Sequence, residues 1–294
     1  MRFFVALIVD GALAGAIYAL IALGFVVVYK ASRVINFALG EWLMLGALLV
    51  AAGLNALALG LAAALIVACA GMIAFAAAFN RLVLRRLVGR PVVSLLMVTL
   101  GLGALMRGSA AVLFRGIPSA IPLPIPQRTL EVGGLFLSTD KLMAAAVAAL
   151  SVAVVTAVFR WSRTGVALRA IADDDGAATA VGIDVQRHLA IAWGVLGVVS
   201  VLAGTLWASV ASGGVGLVLV GLKVFPVVVI GGLDSIPATL VAAVLLGVIE
   251  NLVAGYVDPL LGAGFSSITA FLLVIAILFT RPWGLLGRAA IRRV

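Results

Sequence analysis

The chain has 294 residues, of which 65% are hydrophobic and 11% are charged, and its formal net charge is +9. A soluble domain carries roughly 25% charged residues, so this composition excludes a soluble globular protein and predicts a polytopic membrane protein. The arginines cluster at the ends of apolar segments, which is typical of membrane-orientation signals and not of a nucleic-acid-binding surface. With Cys69 as the only cysteine and His188 as the only histidine, we expect neither a disulfide framework nor a metal site.

The first apolar segment, 3–29, is long enough to be a retained membrane span, with its amino terminus outside. Gly11 and Gly15 form a GxxxG pair that would let another helix approach closely; the alternative is that they are ordinary small residues of a membrane helix. Asp10 is predicted to reach headgroups or water near the outer end.

Residues 34–41 interrupt two apolar segments with too few polar residues for an ordinary loop. We interpret them as a broken or re-entrant helix that faces protein or a water-lined path. Asn36 and Glu41 are therefore candidate path or gating residues. The alternative for Glu41 is an interfacial residue that only caps the next helix.

Spans 42–57 and 59–79 follow, and Ala70, Ala74 and Ala78 form a small-residue face suited to helix packing. After a basic loop at 80–90, a further span runs over 92–114. Arg107 lies inside that span and is predicted to extend to the outer headgroups, with a role in the path as the alternative.

Residues 115–139 are the long outer loop. Its prolines (Pro118, Pro122, Pro124 and Pro126) favour extended backbone, and Gly133-Gly134 predicts a turn. The loop could be a docking surface for an external partner or a simple connector.

Residues 160–188 are the longest polar interruption. Three arginines at its start and Asp173 to Asp175 in its middle place it in water, on the cytoplasmic side. The spacing of its small and apolar residues predicts a short helix that ends at Gly182. A helix held there between two spans is well placed to contact another protein.

After a span at 189–211, residues 212–222 are predicted as a glycine-rich connection and 223–236 as a second broken segment. Ser235 is a plausible N-cap for a helix that resumes near 238. Glu250 and Asn251 lie inside that helix. An intramembrane carboxylate is a functional candidate, and its alternative is a buried hydrogen bond to a neighbouring helix.

The resulting fold class is an all-α polytopic membrane protein with about seven to eight transmembrane helices and broken segments near 34–41 and 223–236. Residues 1–294 form a single transmembrane domain, and three basic clusters, at 81–90, 160–169 and 281–293, lie inside. The sequence has no G-x-x-x-x-G-K-[ST] phosphate loop, no H-E-x-x-H and no G-x-S-x-G motif. We therefore expect no catalytic residues, no cofactor and no enzyme activity, and any energy for transport must come from another subunit.

Several segments, in this order and spacing, resemble the permease subunits of branched-chain amino acid ABC importers, the LivH type. These segments are Tyr18–Gly24, Val34–Glu41, Arg163–Gly165, Ala167–Ala170, Gly182-Ile183, Gly231-Gly232, Ser235–Pro237, Arg281-Pro282 and Gly284-Leu285. Two positions depart from the family pattern: Leu39 replaces its histidine, and Ala238 replaces the glycine that usually follows Ser-Ile-Pro.

The resemblance implies a permease in a bacterial inner membrane that carries branched-chain or other hydrophobic amino acids. Its partners would be a homologous second permease, in a homo- or heterodimer, two cytoplasmic ATPases that use ATP, and an external binding protein. The path or gate would be formed by Asn36, Glu41, Gly231, Gly232, Glu250 and Asn251. Coupling to the ATPases would use Arg163, Gly165, Arg169, Asp173, Asp174 and Gly182. There are three alternatives. The same machinery could carry urea, short amides or aromatic compounds; the chain could be an ATP-independent channel or carrier; or it could be a purely structural subunit.

Overall fold

A computed structural model of the chain describes residues 1–87, 91–122, 128–211, 213–233, 235–262 and 264–281. The elements are α1 (Arg2–Ser32), α2 (Leu39–Asn55), α3 (Leu61–Phe79), a π-helical turn (Asn80–Leu84), α4 (Arg85–Leu87), α5 (Val92–Leu113), β1 (Thr129–Val132), β2 (Leu135–Ser138), α6 (Thr139–Trp161), α7 (Arg163–Asp173), α8 (Asp175–Ala180), α9 (Val185–Val210), α10 (Gly216–Gly231), α11 (Ile236–Tyr256), α12 (Asp258–Leu261) and α13 (Phe265–Thr280).

Within these described ranges, six helices are long and apolar enough to cross a membrane, and three shorter apolar helices accompany them. The all-α polytopic class is confirmed. The cluster at 281–293 lies outside the described residues except for Arg281. The chain divides into two compact units, Met1–Val26 with Pro124–Leu150 and Lys223–Val294, and Val27–Leu123 with Ser151–Leu222. We call them the terminal unit and the central unit.

The core of the central unit is formed by α2, α3 and α9, which pack at close range. A Cβ atom added to Gly46 of α2 would lie 2.9 Å from the Val201 Cα of α9, and one added to Gly197 of α9 would lie 3.0 Å from the Met72 carbonyl oxygen of α3. The fully buried Trp42 and Trp193 rings lie 5.6 Å apart, centroid to centroid. Small residues thus set the spacing of these helices, as is usual in membranes.

The terminal unit has a glycine contact of the same kind between α1 and α11. A Cβ atom on Gly11 would lie 2.6 Å from the Gly247 carbonyl oxygen, and one on Gly15 would lie 2.7 Å from the Val244 Cα. The close approach predicted from the GxxxG pair is confirmed.

The predicted outer loop contains a β-hairpin that the sequence analysis missed. Thr129–Val132 pairs antiparallel with Leu135–Ser138, and the predicted turn is confirmed at Gly133 and Gly134. Both glycines have positive φ, +62° and +80°, as a two-residue turn of type I′ requires. Pro124 and Pro126 lie outside the described residues.

Two further expectations are wrong. Ala70, Ala74 and Ala78 are exposed, and the buried face of α3 is instead formed by Ala64, Ala68, Met72 and Ala76. The predicted glycine-rich connection is shorter than expected, because α10 begins at Gly216 and continues as one helix to Gly231 in spite of Pro226.

The corner between α12 and α13 is held by Asp258. Its carboxylate accepts hydrogen bonds from the Ser266 backbone N–H at 2.8 Å and from the Ser266 hydroxyl at 2.7 Å. These bonds, that of the side chain first, lower the pKa of Asp258 below its ordinary value.

Candidate functional site

The predicted interruption at 34–41 is observed as a non-helical segment between α1 and α2, residues 33–38. Asn36 is 2% exposed, and its Oδ1 accepts a hydrogen bond from the Ala38 N–H at 3.0 Å, just before α2 begins. Its side-chain nitrogen is buried without a partner in the described structure. Leu39, which replaces the family histidine, is buried at the first position of α2.

Glu41 is a buried carboxylate in the first turn of α2, 4% exposed. The Arg107 Nε of α5 lies 3.3 Å from its Oε1, while the Arg107 side chain is about half exposed at 49%. Gly103, one turn earlier on α5, leaves room for this carboxylate, since a Cβ there would lie 3.1 Å from the Glu41 carboxyl carbon. Arg107 was predicted to extend to the outer headgroups, and the structure adds that its half-exposed side chain pairs with the Glu41 carboxylate, which offsets the cost of burying that charge.

The start of α2 also packs against α10. A Cβ atom on Gly40 would lie 2.5 Å from the Val218 carbonyl oxygen. A Cβ atom on Gly221 would lie even closer to the Gly40 backbone. Two glycines, Gly40 and Gly221, thus place the start of α2, and with it Glu41, directly against the α10 backbone.

In the terminal unit, Glu250 is the centre of a polar cluster. Lys223 Nζ of α10 donates to its Oε1 at 2.5 Å, and the Tyr18 hydroxyl of α1 donates to its Oε2 at 2.9 Å. The side chains of Lys223 and Glu250 are 23% and 15% exposed. The sequence analysis did not connect Lys223 or Tyr18 with Glu250, because Lys223 was assigned to the start of the second broken segment and Tyr18 lies 232 residues from Glu250.

Asn251 belongs to a second polar cluster in the same unit. Its Nδ2 donates to the Leu7 carbonyl oxygen of α1 at 2.8 Å and lies 3.4 Å from an Asp10 carboxylate oxygen. Lys141 of α6 donates to both Asp10 oxygens, at 2.7 and 2.8 Å. The prediction that Asp10 reaches headgroups or water is compatible with this ion pair, since both of its side chains remain more than a third exposed.

The second broken segment is narrower than predicted, since 223–231 are helical and only 232–235 separate α10 from α11. Gly231 contacts α11 closely, and a Cβ there would lie 2.5 Å from the Thr239 Cα. Gly232 has a φ of +94°, which favours glycine. Ser235 caps α11, with its Oγ 3.4 Å from the Ala238 N–H, as predicted.

The polar stretch 160–188 forms two helices, α7 and α8, where the sequence predicted one. Asp174 is extended, with φ −158° and ψ 108°, and its side chain caps α8 by accepting from the Ala177 N–H at 2.9 Å. Competition from this cap explains the break. The predicted end at Gly182 is confirmed by its φ of +89°.

Arg169 and Gly165 hold α7 against the end of α6. The Arg169 guanidinium donates to the Phe159 carbonyl oxygen at 2.5 Å and to that of Arg160 at 3.1 Å, and Gly165 lies against the Phe159 backbone. Ser162 caps α7 through the Gly165 N–H at 3.0 Å. Arg169 thus satisfies helix-terminal carbonyls within the chain, while Arg163, Asp173 and Asp175 are in or beside α7 and α8.

The end of α1 meets this stretch in the central unit. Arg33 donates to the Ala172 carbonyl oxygen at 2.9 Å. A cavity of about 340 Å³ adjoins the contact and is lined by Arg33, Asp173, Asp174, Gln186 and Trp193, among others. In the ranges that the structure describes, no three His, Cys, Asp or Glu side chains converge to hold a metal ion.

Long apolar helices, two helix interruptions and partly buried ion pairs define this molecule as a polytopic α-helical membrane protein. Residues 7–280 match the family described as the permease component of the branched-chain amino acid transport system. The chain belongs to this family. It is the permease component of an ABC importer.

Named relatives cover nearly the whole chain. It is 29% identical over 302 residues to the high-affinity branched-chain amino acid transport permease BraD of Pseudomonas aeruginosa, covering 98% of this chain and 97% of that protein. It is 28% identical to LivH of Salmonella typhimurium, with 97% and 96% covered. The solved structure of PsaBC from Streptococcus pneumoniae with a Fab aligns with a TM-score of 0.46 at 15% identity, covering 92% of this chain and 90% of that one.

Proposed function

We propose that this permease imports branched-chain or other hydrophobic amino acids across a bacterial inner membrane. The proposal is supported above all by the family match over residues 7–280, together with relatives that are named as branched-chain amino acid permeases and align over almost their full length. A homologous second permease, two cytoplasmic ATPases and an external binding protein complete the importer. The chain uses no cofactor of its own, and its partners hydrolyse the ATP.

Two polar sets, one in each unit, line or gate the path. Asn36 and Glu41 lie at the α1–α2 interruption of the central unit, and Glu41 is buried with a cation beside it. The second set lies in the α10–α11 region of the terminal unit and consists of Gly231, Gly232, Glu250 and Asn251. This role is supported by the cost of intramembrane charge, since charged groups inside membrane proteins face protein or water and mark substrate pathways.

The α7–α8 segment couples the chain to the ATPases. This coupling site consists of Arg163, Gly165, Arg169, Asp173, Asp174 and Gly182. Arg169 and Gly165 brace α7 from within, whereas Asp173 and Asp174 are exposed and could meet basic groups of a partner. Movement of the ATPases would then reach α6 through the Arg169 contacts and α1 through Arg33.

Purification of the complex from its native membrane, followed by reconstitution in liposomes with the binding protein, tests the function. We expect ATPases and a second permease to co-purify and labelled leucine to enter only with ATP. Solute movement by the chain alone, without ATP, would establish a channel or carrier instead.

The coupling role is tested by Asp173→Asn combined with Asp174→Ser, which removes two charges but keeps a residue able to cap α8. We expect ATP hydrolysis to continue with less amino acid imported per ATP. Asp184→Ser is the matched control, because Asp184 likewise caps a helix, α9, by accepting from the Arg187 N–H. Equal coupling in both variants would remove Asp173 and Asp174 from the coupling site.

A further inference from the structure

The Lys223–Glu250 ion pair is largely buried within the terminal unit, with side chains that are 23% and 15% exposed. Tyr18, whose hydroxyl donates to Glu250, is roughly 24 Å along α1 from Arg2 and about 21 Å from Ser32, at 1.5 Å per residue. Tyr18 is 3% exposed, and α1 and α11 are both long and apolar enough to cross a membrane. Glu250 itself is six residues, about 9 Å, from the Tyr256 end of α11, so the position of the pair inside the terminal unit rests on its burial and on its contact with Tyr18 in the middle of α1.

The other ion pair of the terminal unit is more exposed. Asp10 is roughly 12 Å along α1 from Arg2, Lys141 is the third residue of α6, and their side chains are 36% and 38% exposed. The Asp10 and Lys141 side chains can exchange this contact for water or headgroups. A role in bracing α1 against α6 is sufficient to explain the pair. Bracing alone does not explain Lys223–Glu250, because apolar residues of similar volume usually pack as well without the cost of buried charge.

The local backbone of α10 also favours a site beside Lys223. Pro226 lies within the helix, three residues after Lys223. Since proline has no N–H, it cannot donate to the carbonyl four residues earlier, one residue before Lys223. The ammonium group of Lys223 therefore projects from a part of α10 where the regular hydrogen-bond ladder is interrupted, about two turns before the helix ends at Gly231.

An amino acid zwitterion brings two opposite charges into this low-dielectric region, and each needs a partner. An existing Lys–Glu pair can supply both by exchange, since one ion pair plus one zwitterion becomes two ion pairs with no charge left over. A single charged residue, or an apolar path, would leave at least one charge unpaired, at about 2.5–3.5 kcal/mol per charge at the centre of a membrane helix.

We propose that Lys223 and Glu250 form a zwitterion-exchange site. The pair opens, the amino acid carboxylate binds Lys223, and the amino acid ammonium binds Glu250. The Tyr18 hydroxyl, which donates to the second Glu250 oxygen, holds that carboxylate in place while Lys223 leaves it. This inference rests on the proposed function and names, for one point of the path, which charge meets which part of the substrate.

The test uses the reconstituted complete importer with Lys223→Met and Glu250→Met together, which removes the pair without leaving a lone charge. Asp10→Leu with Lys141→Met is the matched control. We expect the first variant to keep its melting temperature within a few degrees and to hydrolyse ATP, while leucine uptake per ATP falls by about 70-fold or more, the factor to which the loss of one compensated charge corresponds. The control should import leucine normally. Normal uptake by the first variant would overturn the site.

Ligand analogues decide the question where that variant fails to fold. The wild-type complex without binding protein is heated with leucine, with leucinol, which lacks the carboxylate, or with 4-methylpentanoate, which lacks the ammonium group. We expect leucine to raise the melting temperature more than either analogue. Equal shifts, or none with leucine, would contradict exchange. If wild-type complex imports no amino acid at all, the proposed function fails first, and that result is distinct from both outcomes above.

Discussion

The substitution Gly11→Ala tests how closely α1 and α11 pack, because the structure shows by how much an added methyl group would overlap its neighbours. Its effect can be distinguished from the higher helix propensity of alanine. The added Cβ would lie 2.6 Å from the Gly247 carbonyl oxygen and 2.7 Å from the Val248 Cα. Ordinary van der Waals contact begins at 3.4 Å, so α1 and α11 would have to separate by about 0.8 Å. Both neighbours are backbone atoms, which a rotamer change cannot remove.

The same separation would weaken the polar contacts between these two helices. Asn251 donates to the Leu7 carbonyl oxygen at 2.8 Å and Tyr18 to Glu250 at 2.9 Å. Lengthened by about 0.8 Å, neither would remain a hydrogen bond. Overpacking typically costs about 1–3 kcal/mol, and each intramembrane hydrogen bond adds about 0.6 kcal/mol on average. We therefore expect Gly11→Ala to lower the free energy of unfolding by about 2–4 kcal/mol.

The assay is thermal and denaturant unfolding of the purified chain in detergent. Gly101→Ala is the control, since Gly101 is also inside a helix, α5, and a Cβ there meets nothing within 4 Å. Alanine is favoured over glycine in helices by about 1 kcal/mol, so this control should be neutral or stabilising. If Gly11→Ala and Gly101→Ala had the same effect, the close approach of α1 and α11 would be refuted.

Three further substitutions test single contacts. Arg107→Gln leaves Glu41 buried without its cation and should destabilise the chain by about 1–3 kcal/mol, below the usual cost of a broken buried pair because Arg107 is half exposed; adding Glu41→Gln should recover part of the loss in the same unfolding assay, and no recovery would argue against the pair. Ser162→Ala removes the N-cap of α7 and should cost about 1 kcal/mol, whereas Ser162→Asp should cost almost nothing. Ser266→Ala removes the hydrogen bonds of the Ser266 hydroxyl and raises the pKa of Asp258 toward its ordinary value. Because a lowered pKa stabilises the folded state only while the carboxyl is ionised, the stability gap between wild type and this variant should be constant from pH 7 to about pH 5 and should close as the pH falls below about 4; a gap that persists at low pH would show that the hydroxyl acts without the carboxylate.

Hydropathy, together with the residues that cap or end helices and form turns, determined the order and length of the elements along this chain. The predicted spans 3–29, 92–114 and 189–211 each coincide with a helix to within a few residues, because bilayer thickness and backbone hydrogen bonding leave few other solutions for long apolar runs. Gly182, Gly133-Gly134 and Ser235 marked a helix end, a turn and a cap correctly, since each acts through its own backbone or its nearest neighbours.

Pairings between distant residues were decided only by the tertiary structure. Tyr18 and Lys223 meet Glu250 across 232 and 27 residues of sequence, and Arg107 meets Glu41 from a different span. The buried face of α3 likewise followed its neighbours, α2 and α9, and not the stripe that begins at Ala70. The physical reason is common to all three: in a membrane both lipid and protein surroundings are apolar, so hydrophobic periodicity does not distinguish a packed face from a lipid-facing one, and a charge reveals its need for a partner without revealing which helix supplies it.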